Sequence, residues 1–100
     1  MSTREINLIE VYNRSGGGTV RDYALRKIFI NPNHVVYLRE DDDTTRLLLG
    51  GHLPEDLDPR QQFTKISLNK GTYGHDIVVV GPISEIHKKL FDNKASLLRG

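Results

Sequence analysis

Apolar and polar residues alternate over short stretches of this chain, and turn residues separate the stretches, a period-two rhythm that predicts β-strands. The first stretch runs from Glu5 to Asn13, with Ile6 and Leu8 on one face and Ile9 and Val11 on the other. Apolar residues on both faces place it centrally in a sheet. Arg14-Ser15-Gly16-Gly17-Gly18 breaks the pattern, because a glycine run offers backbone freedom and nothing to pack. A second strand is predicted from Val20 to Ile30, where Tyr23, Leu25 and Phe29 alternate against Ala24, Ile28 and Ile30. Asn31-Pro32-Asn33 then reads as a turn, since the Pro ring fixes φ and Asn tolerates turn geometry. The third strand covers His34 to Glu40, with Val35 and Tyr37 opposite Val36 and Leu38.

Asp41-Asp42-Asp43 reads as a charged turn leading into a fourth, apolar strand from Thr45 to Leu49, stopped by Gly50-Gly51. His52 to Gln62 holds Pro54, Pro59 and several acidic residues, the composition of a loop with room for one helical turn. Phe63 to Asn69 gives the clearest alternation, with Ile66 and Leu68 inward and Lys65 and Ser67 outward. Asn69-Lys70-Gly71 turns the chain back into the β-branched run from His75 to Val80. The period then changes. Gly81-Pro82 suits a helix start, and Ile83, Ile86 and Leu90 form one stripe at helical spacing. Glu85 precedes Lys89 by one helical turn, and Lys88 and Lys89 suit the C-terminal half of the helix. The helix ends near Phe91, or runs on toward Leu98 if Leu97 continues the stripe.

These elements predict one mainly β (α+β) domain over residues 1–100: an antiparallel sheet or small open barrel of five to six strands with one C-terminal helix. The pattern leaves open whether Thr45 to Leu49 or Phe63 to Asn69 pairs with the His34 strand. Hydrophobic residues make up 37% of the chain, which suits a modest core with long polar loops, or extra surface buried in an oligomer. With 14 basic and 13 acidic residues the net charge is +1, so no global field steers nucleic acid or membrane toward the protein. The chain has no cysteine, which removes disulfides, a thiolate nucleophile and Cys-ligated zinc, and fits a reducing cytoplasm. No apolar run approaches the roughly 20 residues that span a bilayer, and the polar N-terminus carries no signal-peptide core.

Candidate chemistry is sparse. His34, His52, His75 and His87 are scattered, without metal-ligand spacing on one element, and a catalytic reading would need two of them to meet beside an acid in a pocket. Asp41-Asp42-Asp43 lacks the spaced oxygens and distal Glu of a calcium loop, so it reads as a solvated turn that shields an edge. Gly16 to Gly18 has no following Lys and no helix to open, so it reads as a hairpin loop rather than a phosphate cradle. Neither GxSxG nor SxxK occurs. No catalytic residue, cofactor or metal is therefore expected, and the chain does not read as an enzyme. The most distinctive chemistry is Arg14, Arg21, Arg26 and Lys27 interleaved with Tyr12 and Tyr23 in the first hairpin. Basic and aromatic residues on one sheet face hold single-stranded nucleic acid by phosphate pairing and base stacking.

Three segments, Phe29-Ile30-Asn31-Pro32-Asn33-His34-Val35, then Thr64-Lys65-Ile66-Ser67-Leu68-Asn69-Lys70-Gly71, and Ile77 to Leu90, together resemble the FlbD-like family of small bacterial proteins associated with flagellar function and swarming. The resemblance covers about half the chain; Thr44 to Gln62 looks like an insertion, and Arg14 to Thr19 lengthens the first loop. The rhythm of short strands is also similar to the LytTR DNA-binding domain. The first resemblance implies an accessory interaction protein with no catalytic residues to carry over. The leading expectation is thus a cytoplasmic, non-catalytic protein–protein interaction module of bacterial or phage origin, self-associating or docking on a larger protein. It would use an exposed strand edge, with Val20 to Ile30 or Ile77 to Val80 as candidates. The alternative is a nucleic-acid-binding regulator using Arg14, Arg21, Tyr23, Arg26 and Lys27.

Overall fold

The computed structural model describes residues 5–14, 22–70 and 73–92. The Gly16–Gly18 loop, Arg21, and the extension of the last helix toward Leu98 fall outside the described residues. Five strands, β1 (Ile6–Asn13), β2 (Tyr23–Ile30), β3 (Val35–Glu40), β4 (Phe63–Lys70) and β5 (Tyr73–Val80), form one antiparallel sheet in the order β2-β1-β5-β4-β3. Two pairings follow the chain as hairpin-type neighbours, β1 with β2 and β4 with β5, and β3 pairs with β4. Phe63 to Lys70 is thus the strand that pairs with Val35–Glu40. The two halves of the sheet join where β1 meets β5, in the register Glu10↔Val79 and Val11↔Val78.

Alternation sorts the apolar side chains onto both faces of the sheet. On one face Leu8, Ile30, Ile66 and Val79 form a buried cluster with Ile86 and Leu90, and Ile6, Ile28, Leu68 and Ile77 pack around it. The helix α2 (Ile83–His87), continued by a π-turn over Lys88–Asp92, supplies Ile86 and Leu90 as the lid on this face. The predicted stripe Ile83, Ile86 and Leu90 therefore faces the sheet, with Ile86 and Leu90 buried and Ile83 half-buried. Gly81 enters this helix with φ +135, where a side chain would stand 2.9 Å from Ile86 Cδ1. On the opposite face Val11 and Phe63 form a second cluster with Leu53, and Leu47, Leu48 and Leu57 cover it.

Two expectations are corrected. The segment from Thr45 to Leu49 is not a strand: it lies in α1 (Asp42–Leu49). The reason lies at the helix ends. Asp41 occupies the N-cap position, and Asp42 and Asp43 place negative charge in the first turn, where the helix dipole favours it. At the other end Gly51 adopts φ +80, and the His52 N–H donates to the Leu47 carbonyl while the Gly51 N–H donates to that of Leu48. That pair of bonds is a Schellman stop, which favours glycine at its left-handed position. Nor is Asp41 part of a solvated turn, since it is buried, accepts from the Thr44 hydroxyl at 2.5 Å, and donates its N–H to the Phe63 carbonyl. The second correction concerns β3. His34 belongs to a 3-10 turn over Pro32–His34, and the β-ladder shifts register between Val35 and Tyr37. This bulge returns Val35 to the same face as Leu38, so both pack on the helix-side cluster.

The two glycines give a graded test of these readings. Gly51→Ala meets no atom within 4 Å and costs only the left-handed backbone, about 1–2 kcal/mol. Gly81→Ala combines a strained φ with the collision at Ile86 and is expected to cost more, at least roughly 2–3 kcal/mol. Urea denaturation of both variants checks the order, with equal m values showing that only stability changed.

Candidate protein-interaction edge

The sheet order leaves β2 and β3 as its two edges. Of the two edge strands expected from sequence, Tyr23–Ile30 is an edge. Ile77 to Val80 is not: it lies in β5, hydrogen-bonded between β1 and β4. Its unbroken β-branched run marks a strand buried on both faces, because Ile77 packs on the helix-side cluster while Val78 and Val80 pack on the other.

The edge that sequence reasoning missed is β3, and it has a groove beside it. Val35, Val36, Tyr37 and Leu38 form one wall, and Ile83, Ser84, His87 and Phe91 form the other, around a volume of about 500 Å³. Four consecutive strand residues line it although their side chains point to different sides, so the groove runs along the strand's free backbone edge. Its lining is mostly apolar, and Val36 and Tyr37 remain 58% and 45% exposed. Phe91 packs against His87 in a tilted arrangement, ring centroids 5.1 Å apart, on the helix wall.

The hydrogen-bond phase of this edge follows from one bond. The Asp41 N–H donates to the Phe63 carbonyl at 3.0 Å, and the register Leu38↔Ile66, Arg39↔Lys65, Glu40↔Thr64 leads directly to that pair. In an antiparallel ladder bonded pairs alternate with unbonded ones, so Tyr37 and Arg39 bond to β4. Leu38 and Glu40 consequently turn their N–H and C=O groups outward, away from β4, and among the described residues no backbone bond outside the strand ladders takes them up. Arg39 lies on the face away from α2 with its guanidinium carbon 5.7 Å from the Tyr37 ring centroid.

The β2 edge carries different chemistry, including the basic residues singled out from the sequence. Arg14 is paired with Asp22 at 2.8 Å, a hydrogen bond and a charge that raise the Arg14 pKa above its ordinary value. Arg26 donates to Glu10 at 2.7 Å, which raises its pKa likewise, and its guanidinium lies 4.1 Å from the Tyr12 ring centroid. The register puts Arg26 and Tyr12 on the helix-side face and Tyr23 and Lys27 on the opposite one. Tyr23 packs on the second core cluster, while Lys27 is exposed. Arg21 lies outside the described residues. The described members of the set are thus divided between two faces, and two of the cations already hold carboxylates.

The histidines separate into distinct neighbourhoods, with one exception. His34 and His75 share a depression of about 420 Å³ with Glu5, Phe29, Ile30, Asn31 and Leu68, where the 3-10 turn brings the ends of the two edge strands near each other. His34 Nδ1 lies 3.2 Å from the Asn69 carbonyl oxygen. His52 stands at the end of α1 and His87 on the groove wall. Among the described residues no three His, Asp or Glu side chains are placed to hold a metal ion, and no helix is long and apolar enough to cross a membrane.

No family model, curated protein or solved structure matches this chain.

Because Val36 sits in a bulge and faces solvent, the fold does not depend on its apolar character. Val36→Asp is expected to change stability by no more than about 0.5 kcal/mol, in contrast to about 2–4 kcal/mol for the fully buried Ile66→Ala. Thermal or urea unfolding of the two variants measures the contrast.

Proposed function

We propose that this protein is a small non-catalytic interaction module that receives an extended strand along β3. The observation that carries the reading is the apolar groove between the free edge of Val35–Glu40 and the helix residues Ile83, His87 and Phe91. Strand addition draws affinity from main-chain hydrogen bonds and specificity from side-chain pockets beside the edge, and this edge offers both. A second line of support is the exposure of Val36 and Tyr37, apolar surface that the fold itself does not need. The resemblance of three segments to the FlbD-like proteins favours the same reading, an accessory bacterial or phage protein, and the cysteine-free composition fits work in a reducing cytoplasm. The bulge at Val36 limits indiscriminate edge pairing, so a partner must match the groove as well as the ladder.

A photo-crosslinking residue at Val36, in cells that naturally make the protein, tests this. Crosslinked product is expected from Val36, and none from a matched residue at Asn7 on the far side of the sheet. Adding Glu40→Pro removes one outward N–H and leaves the β4 ladder intact, so it is expected to lower the yield several-fold. Equal yields from both positions, or no effect of the proline, would contradict the reading.

A further inference from the structure

We infer that the strand received by β3 is the β3 of a second copy of this chain, giving a two-fold dimer with one continuous sheet. The inference rests on the reading of β3 as an interface and commits to its occupant.

The outward groups of β3 select the register. Leu38 and Glu40 turn their N–H and C=O groups to the free edge, so an antiparallel partner must set outward residues opposite outward residues. A two-fold axis through Leu38 does this. Leu38 meets Leu38 of the other copy and exchanges both hydrogen bonds, and Glu40 meets Val36. Tyr37 then stands opposite Arg39 twice, once on each side of the axis. These are unbonded pairs, whose side chains approach most closely. In the single chain the Arg39 guanidinium lies 5.7 Å from its own Tyr37 ring, a geometry that an opposing Tyr37 reproduces. The neighbouring registers are worse. An axis through Arg39 sets two guanidinium groups face to face. An axis through Tyr37 brings the bulge at Val36 next to the central pair, opposite Leu38, where the Leu38 axis leaves it at the rim opposite Glu40; it also sets Arg39 opposite Val35, which points to the other face.

The remaining surface agrees. The axis stands perpendicular to the sheet, so the α2 helices of the two copies lie on the same face, and the added strand runs along the groove between β3 and the wall of Ile83, His87 and Phe91. The net charge of +1 sets up little repulsion between copies. A single edge is smaller than a standard stable interface, so a dimer of micromolar rather than nanomolar affinity is expected.

The chain has no cysteine, so one introduced thiol reports the axis cleanly. Bonded antiparallel partners stand about 5.5 Å apart at Cα, within disulfide reach. Oxidised Leu38→Cys is expected to run as a covalent dimer, while Glu40→Cys on the same edge, several residues from its counterpart, is not. Sedimentation of the unaltered chain over rising concentration is expected to approach twice the monomer mass. Tyr37→Arg is expected to weaken that association about tenfold or more, and Tyr37→Arg with Arg39→Tyr to restore it, since the swap keeps the opposed pair. The restoring swap separates lost association from lost folding. A monomer at every concentration, with no disulfide formed by Leu38→Cys, overturns the second copy as occupant. If Val36 then still crosslinks another protein in cells, only the choice of occupant has failed. If it crosslinks nothing, the edge reading fails as well. A dimer that crosslinks equally through Glu40→Cys overturns the proposed axis.

Discussion

The structure depends on the seam where β1 meets β5. Two antiparallel units, β1 with β2 and β3 through β5, would each be too small to bury both of their faces. They join through a short register, Glu10↔Val79 and Val11↔Val78, and apolar clusters on both sides clamp that junction. Val79 is fully buried beneath Ile86 and Leu90 of the C-terminal helix. Val11 and Val78 lie beneath the leucines of α1 and the following loop. The helix-side clamp requires the chain to turn sharply after Val80, which is the task of Gly81 at positive φ. Joining β5 to β1 also decides what stays at the rim, because it places the Ile77–Val80 run in the middle of the sheet and sends β3 to one edge.

Much of this is legible in the chain. The alternation in Glu5–Asn13 and Phe63–Asn69 marks the correct faces, and Ile83, Ile86 and Leu90 mark the helix that covers one of them. Thr45–Leu49 reads wrongly as a strand because five residues, one Thr, one Arg and three leucines, are too few to carry a decisive period. The signal lies outside it, in acidic residues before and paired glycines after, which are helix caps when read together. Ladder order is not legible, since it is set by contacts distant in sequence. Ile77–Val80 therefore passes for an edge, although apolar residues on both of its faces already argue for the interior.

The same limit explains the candidate site. Nothing local distinguishes Val35–Glu40 from any other short strand, and its bulge has no sequence signature. Only the sheet order and the helix beside it turn these residues into a groove wall. The basic first hairpin is conspicuous in sequence for the opposite reason: side-chain types are visible before their partners are. Glu10 and Asp22 take up Arg26 and Arg14, and strand alternation divides the rest of the described set.

The most direct test of this account is residue-resolved amide hydrogen exchange along β3 in dilute solution, where copies of the chain remain apart. The Tyr37 and Arg39 amides, bonded to β4, are expected to be protected, and those of Leu38 and Glu40 to exchange freely. Protection of all four would show that the edge is already covered within the chain, and exposure of all four would show that β3 is not part of the sheet; either result would contradict a strand edge held open for a partner.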